Sequence, residues 1–223
     1  MFVLQVSHLT KRYGRLAALT DVSFGVRPGE ILGLIGPNGS GKTTLFECLA
    51  GILPSDDGAV TQSGRPLAPG ERSSALFYVP DAIAPWPAQT LRWALDFTLG
   101  FFGGREQLRD DVVRRLDLEP VLDSAIGTLS KGQKKRAVLA IGLLAPQALL
   151  LADEPFDGLD LRQTREVATT LRAYAAEGRT LFLSIHQITD AARICDRFVL
   201  LSGGRVCGEG TIDELSSLAA ARG

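Results

Sequence analysis

The amino-acid sequence predicts an α/β fold with a parallel core, an N-terminal antiparallel β region and an inserted α-helical segment. Short apolar runs at Ile31–Ile35 and Leu149–Ala152 are typical of buried parallel strands. At Val3–Val6 and Leu19–Val26, apolar and polar residues alternate, which is typical of half-buried strands. Between the two apolar runs, residues 82–147 carry mainly helical patterns, which predicts an insertion into the core.

The first third of the chain is predicted to supply short strands around one helix. Alternation at Val3–Val6 and Leu19–Val26 predicts two strands, separated by a loop at Lys11–Arg15. After the strand Ile31–Ile35, helical spacing of apolar residues predicts a helix over Thr44–Leu53, which ends at a proline. Short strands are then predicted at 59–61 and 75–79.

The inserted segment is predicted to contain helices at Leu91–Phe102, Glu106–Leu116 and from Ser130 to Pro146. The first of these is apolar almost all round, with an aromatic stripe formed by Trp93, Phe97 and Phe101. The stripe either packs within the insertion or, with Trp86, forms a groove for a helix of another protein. The basic run Lys134–Arg136 is predicted to be a solvated face.

The core is predicted to resume at Leu149–Ala152 and to alternate helices with strands. We expect residues 1–81 and 148–223 to form one core and 82–147 a helical subdomain, all in a single domain. The predicted elements after residue 152 are a helix at 161–176, a strand at 180–184, a helix near 188–194, strands near 198–201 and 205–207, and a helix near 212–221.

Composition favours a globular protein without a basic surface. The chain has 223 residues, 45% hydrophobic and 22% charged, with a net charge of −1, so nothing indicates a nucleic-acid partner. No signal peptide and no run of about 20 apolar residues is visible, so we expect a cytosolic protein or one bound peripherally to the cytosolic face of a membrane. The three cysteines fall in apolar segments and are expected to be buried thiols.

The segment Gly36–Thr43 fits the phosphate-binding pattern G-x-x-x-x-G-K-[ST], between a predicted strand and a predicted helix. Its backbone N–H groups and the following helix N-terminus favour bound phosphate. Lys42 would reach the β- and γ-phosphates, and the Thr43 hydroxyl would ligate Mg²⁺. The alternative, a glycine-rich turn without a ligand, does not explain this order of strand, loop and helix. The sequence therefore predicts a nucleotide-binding protein.

Two further segments carry candidate chemistry. Asp153 and Glu154 follow the strand Leu149–Ala152, at the strand end where ligands bind in open parallel sheets. Asp153 suits coordination of Mg²⁺, and Glu154 suits polarising a water molecule. The segment Leu129–Gln133 would on its own be a helix-capping box, because Ser130 and Gln133 have the spacing of that motif.

Taken together, these segments resemble the ATPase subunit of the ATP-binding cassette (ABC) transporter family over essentially the full length. Gly36–Thr43 resembles its Walker A loop, Leu129–Gln133 its signature sequence, and Leu149–Glu154 its Walker B strand. Gly158–Asp160 resembles the D-loop, His186 the switch histidine, and Tyr13 the aromatic residue that stacks on adenine. The resemblance implies a P-loop NTPase core of ABC type.

The resemblance implies ATP and Mg²⁺ as ligands and assigns a role to each matching residue. Catalytic roles are implied for Glu154, His186 and Lys42, and metal contacts for Thr43, Asp81 and Asp153. Nucleotide contacts are implied for Tyr13, Gly36, Pro37, Asn38, Gly39, Ser40, Gly41, Lys42, Thr43, Thr44, Ser130, Gly132 and Gln133.

The resemblance also implies a function and partners. Two ATPase subunits, identical or different, would close on ATP as a head-to-tail dimer and drive solute transport through separate transmembrane permease subunits. This places the protein on the cytosolic face of the inner or plasma membrane. The alternative is a soluble ABC ATPase that acts on DNA or ribosomes. Those proteins carry tandem cassettes or long coiled coils, which this chain lacks, and no nucleic-acid partner is expected.

The sequence departs from the family pattern at two positions. Lys131 stands where the signature usually has its first glycine, which adds a charge near the γ-phosphate. Asp81 stands where the family has a glutamine that contacts Mg²⁺. Asp81 is expected either to contact the metal through its carboxylate or to cap the turn after Pro80 and point away from it.

Overall fold

The computed structural model of the protein describes residues 2–81, 83–186 and 193–220. The strands are β1 (Leu4–Tyr13), β2 (Leu16–Val26), β3 (Ile31–Ile35), β4 (Asp57–Gln62), β5 (Arg65–Pro66), β6 (Leu76–Val79), β7 (Leu149–Ala152), β8 (Thr180–Ile185), β9 (Arg197–Ser202) and β10 (Arg205–Gly210). The α-helices are α1 (Lys42–Ala50), α2 (Arg72–Ala75), α3 (Leu91–Phe102), α4 (Glu106–Arg115), α5 (Lys131–Leu144), α6 (Leu161–Ala176) and α7 (Ile212–Ala220).

The strands form two sheets. A four-stranded antiparallel sheet has the order β2-β1-β4-β5, and a six-stranded sheet has the order β10-β9-β3-β8-β7-β6. In the larger sheet the five strands from β9 to β6 are parallel, and β10 is added antiparallel to β9. The predicted combination of an antiparallel N-terminal region with a parallel core is confirmed.

The centre of the six-stranded sheet is β3, which pairs with β8 on one side and β9 on the other. Alternate residues of the sheet belong to different cores. Leu181 and Leu183 lie in the core with helices α3 to α6, and Phe182 lies in the core with α1 and the antiparallel sheet. Because β3, β7 and β8 are parallel, their carboxyl ends meet at one edge, where ligands bind in such folds.

The segment between β6 and β7 contains α3, α4 and α5. Helix α3 is capped by the Thr90 side chain, which accepts a hydrogen bond from the Trp93 N–H, and it buries Leu91, Ala94, Leu95 and Leu99. The opposite face of α3 exposes the aromatic stripe. Exposed fractions are 39% for Trp93, 47% for Phe97 and 73% for Phe101.

The aromatic stripe is continuous with Trp86. The rings of Trp93 and Phe97 are stacked with centroids 5.1 Å apart, and the Trp86 ring lies 5.3 Å from that of Phe97. These side chains contact one another and are still exposed, so they do not pack wholly within the helical segment.

Several local expectations are wrong. Strand β1 runs on to Tyr13, so the loop predicted at 11–15 is reduced to the turn between β1 and β2. Lys135 and Arg136 are buried and do not form a solvated face, because carbonyl oxygens from other segments accept their hydrogen bonds. Cys207 is exposed, unlike Cys48 and Cys195, because its part of β10 lies at a sheet edge.

The helix predicted near 188–194 falls mostly on residues 187–192, which lie outside the described residues. Over the part of the chain that the structure describes, no helix has the length and apolar character needed to cross a membrane.

Candidate nucleotide site

The segment with the phosphate-binding pattern, Gly36–Thr43, is called the phosphate loop here; it connects the carboxyl end of β3 with the N-terminus of α1. Two of its glycines lie where a side chain does not fit. A Cβ atom on Gly36 would lie 2.3 Å from the Leu201 carbonyl oxygen, and one on Gly41 would lie 2.7 Å from the Ala18 carbonyl oxygen. Gly41 also has φ +105°, a left-handed conformation that favours glycine. The loop therefore follows a path that depends on these glycines.

The polar groups of the loop are arranged to receive an anion. Lys42 is buried, and its Nζ donates to the Gly36 carbonyl oxygen at 2.8 Å, so the ammonium is folded back over the loop. The Ser40 hydroxyl is buried without a hydrogen-bond partner among the described residues. Over the same residues, no side chain caps the N-terminus of α1. Free donors, a helix N-terminus and a lysine fit the phosphates of a nucleotide.

A hydrogen-bond network joins α1, β7 and β8 beside the loop. The Thr43 hydroxyl donates to Oδ2 of Asp153 at 2.8 Å, and Asp153 is only 1% exposed. The fully buried Ser184 hydroxyl accepts from the Glu154 N–H at 2.9 Å and bonds to the other carboxylate oxygen of Asp153. The Ser184 hydroxyl therefore accepts from the Glu154 N–H and donates its own proton to Asp153. The network thus holds the side chain of Asp153 beside the Thr43 hydroxyl, and both are oxygen ligands suited to Mg²⁺.

The phenol of Tyr78 lies next to this network and is buried. The Tyr78 side chain on β6 packs edge-on against Phe46, with ring centroids 6.1 Å apart. Burial, reinforced by the negative charge of Asp153, raises the pKa of Tyr78 above its usual range, so the phenol stays neutral beside the carboxylate.

Glu154 adopts a backbone conformation that costs energy. Its φ is +51°, in the left-handed region that non-glycine residues avoid at a cost of about 1–2 kcal/mol. The Ser184 hydroxyl bonds to its N–H in this conformation, and Nε2 of His186 lies 2.5 Å from its Oε1. Strands β7 and β8 therefore bring the side chains of Glu154 and His186 into direct contact at the edge of the sheet.

Two clefts meet at Glu154. The first contains most of the predicted nucleotide-contacting residues, and the second extends past Glu154 towards His186. The first cleft is lined by Tyr13, Leu16, Ala17, Ala18, Asn38, Gly39, Gly41, Lys42, Thr43, Thr44, Glu154, Gly203 and Gly204. The second is lined by Glu154, Phe156, Asp157, Gly158, Leu159, Thr164, Ser184, Ile185 and His186.

The aromatic end of the first cleft contains the predicted Tyr13 together with Leu16, Gly203 and Gly204, which the sequence did not predict. Tyr13 is 47% exposed, with Lys11 Nζ located 5.7 Å from its ring centroid, and Leu16 is exposed beside it. Gly203 and Gly204 come from the turn between β9 and β10, and the Gly204 N–H donates to the Ser40 carbonyl oxygen at 3.0 Å. The glycine pair signals a turn in the sequence, but only the fold shows that this turn supports the phosphate loop.

The predicted signature residues lie at the N-terminus of α5 and, among the described residues, do not line the first cleft. Ser130 and Gln133 form the capping box that their spacing predicts. The Ser130 hydroxyl accepts from the Gln133 N–H at 3.3 Å, and the Gln133 side chain accepts from the Ser130 N–H at 2.9 Å. Gly132 is buried, and a Cβ there would lie 3.2 Å from the Gly158 carbonyl oxygen.

The two residues that depart from the family pattern lie in ion pairs. Asp81 Oδ1 is 2.5 Å from Lys135 Nζ, and Lys131 Nζ is 2.8 Å from Asp157 Oδ2. The hydrogen bond from Lys131 lowers the pKa of Asp157 below its usual range. Carboxylate oxygens of Asp81, Glu154 and Asp157 all lie within 4.8 Å of one another. Asp81 therefore does reach the edge of the sheet that carries Glu154, where it is bound to a lysine, and its predicted contact with Mg²⁺ stays a prediction.

Replacing Ser184, which the sequence did not single out, is expected to destabilise the protein. Ser184→Ala removes the acceptor of the Glu154 N–H and the donor to Asp153, and should lower the free energy of unfolding by about 1–3 kcal/mol. Urea denaturation followed by circular dichroism measures this loss. Ser74→Ala, which removes an exposed hydroxyl bonded to a single carbonyl oxygen, is the matched control and should unfold like the wild type. Equal midpoints for the two variants would contradict the role given to Ser184.

Comparison with known proteins supplies independent information. The sequence model described as "ABC transporter" matches residues 19–157. The chain is 34% identical to the Nod factor export ATP-binding protein I of Rhizobium etli, over 96% of this chain and 71% of that protein. It is 30% identical to the SkfA peptide export ATP-binding protein SkfE of Bacillus subtilis, over 92% of this chain and 88% of that protein.

Solved structures agree with these relatives. An ATP-binding subunit of an ABC transporter is 32% identical and superimposes with a TM-score of 0.88, over 99% of this chain and 95% of that chain. A bacterial Atm1-family ABC exporter with ATP bound has a TM-score of 0.85 at 23% identity, over 97% of this chain and 40% of that chain. The second likeness concerns the fold alone.

Proposed function

The chain belongs to the ABC transporter family and is an ATP-binding ATPase subunit. From this premise we propose that it powers export of a solute through transmembrane partner chains. The observation that carries the proposal is Glu154, which lies where the phosphate-loop cleft meets the His186 cleft. A carboxylate in that place can act on a water molecule next to the terminal phosphate of a bound nucleotide.

In the proposed mechanism, each residue at the sheet edge has one task. Lys42 leaves the Gly36 carbonyl oxygen for the phosphates, because a phosphate oxygen is a stronger acceptor for an ammonium than a neutral carbonyl. Glu154 orients the attacking water and takes its proton, and His186 holds the Glu154 carboxylate in position. Tyr13 presents its exposed ring to the adenine.

Thr43 and Asp153 would hold Mg²⁺, which when bound neutralises charge on the phosphates. Their oxygens lie 2.8 Å apart and belong to one hydrogen-bond network with the Ser184 hydroxyl. This donor set of a hydroxyl and a carboxylate fits a hard cation that binds oxygen ligands.

The separation of the two proposed nucleotide-contacting regions supports a dimer. Ser130 and Gly132 lie outside the cleft that contains Lys42, so they would not contact a nucleotide bound in that cleft of their own subunit. We propose that ATP closes two subunits head to tail, so that the N-terminus of α5 of one subunit faces the γ-phosphate bound to the other. Hydrolysis then reopens the dimer.

Export is favoured by the relatives, because the Rhizobium etli and Bacillus subtilis proteins are both named as export ATP-binding proteins. We propose that the chain is peripheral on the cytosolic face of the membrane and that its permease partners are separate chains. Co-expression with a candidate permease tests this, since ATPase activity in proteoliposomes should depend on the permease and rise with its substrate. A pull-down from a detergent extract that recovers only DNA-bound or ribosomal proteins would favour the soluble alternative.

The aromatic stripe with Trp86 is proposed as the contact for a short helix of the permease. Phe97→Ser removes the ring that contacts both tryptophans and should abolish co-purification with the permease, while basal ATPase activity is unchanged. Ile52→Ser replaces an apolar side chain that is 67% exposed just after α1 and should leave co-purification intact. If Phe97→Ser instead lowers the thermal midpoint of the isolated protein and also abolishes its basal ATPase activity, the stripe serves packing and not docking.

A further inference from the structure

Lys135 has an almost wholly buried ammonium group in the middle of α5. Its side chain is 6% exposed, and its Nζ lies 2.5 Å from Oδ1 of Asp81 and 3.2 Å from the carbonyl oxygen of the same residue. Over the described residues, these two atoms are its only hydrogen-bond acceptors. A buried charge is costly unless it is paired, so the position of the Lys135 ammonium depends on Asp81.

Asp81 is itself fixed close to Glu154. It follows β6, whose last residue, Val79, accepts a hydrogen bond at 2.9 Å from the N–H of Asp153. Its carboxylate lies within 4.8 Å of those of Glu154 and Asp157. The ion pair with Lys135 therefore joins α5 to the edge of the sheet at the point where Glu154 is located.

A second lysine of α5 makes a similar contact one turn earlier. Lys131 follows the N-cap residue Ser130 and pairs with Asp157, and both partners are substantially exposed. Three carboxylates so close together repel one another, and the two lysines offset that repulsion from the same face of one helix. Both partners of the Lys131 pair are exposed to solvent, so that pair is weak; in the Lys135 pair the ammonium is buried and only the Asp81 side chain is partly exposed, so this pair provides most of the attachment.

We propose that Lys135 is a positioning residue, which through its ion pair with Asp81 fixes where the N-terminus of α5 lies relative to Glu154. This proposal rests on the proposed function, in which the same N-terminus acts on the nucleotide bound to a partner subunit. The carboxylate of Asp81 then acts on Lys135 and not on Mg²⁺, the contact that the family resemblance implies.

Two double variants separate positioning from stability. Asp81→Gln with Lys135→Gln, the amide pair, restores a neutral hydrogen-bonded link with the same number of side-chain atoms between the two Cα atoms. Asp81→Val with Lys135→Met, the apolar pair, fills similar space without a hydrogen bond. The single variants Asp81→Gln and Lys135→Gln leave one charged partner alone, and Lys134→Gln is the matched control on the same helix.

Both single variants should lower the urea midpoint and reduce kcat about tenfold, while KM for ATP changes little. The amide pair should restore both the midpoint and kcat. The apolar pair should restore the midpoint and leave kcat low, because stability returns without the directional link. The control should match the wild type in every measurement.

Three results would overturn the proposal. The first is equal kcat for the two double variants, which would make the ion pair purely structural. The second is equal behaviour of Lys135→Gln and Lys134→Gln. The third is a shift in the Mg²⁺ dependence of hydrolysis that is equally large in Asp81→Gln and in the amide pair. Asp81 would then act on the metal and not through Lys135. A wild type without ATPase activity would instead overturn the proposed function, and the urea midpoints would still report on the ion pair.

Discussion

The Glu154→Gln variant is expected to bind ATP like the wild type and to lose about 100- to 10,000-fold of its hydrolysis rate. The carboxamide has nearly the shape of the carboxylate but cannot take the proton of the attacking water. Because reopening depends on hydrolysis, the variant should also accumulate as an ATP-bound dimer. Phosphate release measures the first effect, and gel filtration in ATP measures the second.

The exposed Glu119 provides the control for this substitution. Glu119→Gln makes the same chemical change at a surface position and should hydrolyse ATP at the wild-type rate. Undiminished hydrolysis by Glu154→Gln would exclude Glu154 as the general base. A Glu154→Gln protein that binds ATP and stays monomeric would instead count against the head-to-tail dimer.

The second large effect is expected for Lys42→Met, which should weaken ATP binding by about a hundredfold, or about 3 kcal/mol. Methionine retains much of the apolar stem but loses the charged hydrogen bonds to the phosphates. Titration with a fluorescent ATP analogue measures the affinity. Lys134→Met provides a lysine-to-methionine change outside the cleft and should bind ATP normally; matching affinities for the two variants would remove Lys42 from the site.

The elements with strong local patterns can be predicted from sequence. Strands β3 and β7 and helices α3 and α6 begin and end where predicted, because uninterrupted apolar runs or helical periodicity define them and proline, glycine or capping residues bound them. Strand β1 is longer than its pattern predicts, because its outer half lacks a clear alternation. It is held instead by pairing with β2 through Tyr13 and with β4 through Thr10.

The loop Gly36–Thr43 and the carboxylates of Asp153 and Glu154 can be proposed as site residues from sequence, because each lies in a contiguous motif. The supporting contacts cannot, since each depends on a partner far along the chain. Ser184 is an ordinary strand residue until β8 lies beside β7, and Lys135 belongs to a basic run until Asp81 lies opposite it. Burial of such polar groups follows from long-range pairing, which no local pattern encodes.

The central position of β3 has a consequence for synthesis on the ribosome. Ile31 pairs with Leu181, about 150 residues later, and Leu32 with Arg197. At a translation rate of about 5–20 residues per second, the strand that ends in the phosphate loop waits roughly 8–30 seconds for its neighbours. During that interval an apolar strand is without its sheet partners, so the nascent chain depends on protection from aggregation until its last third emerges.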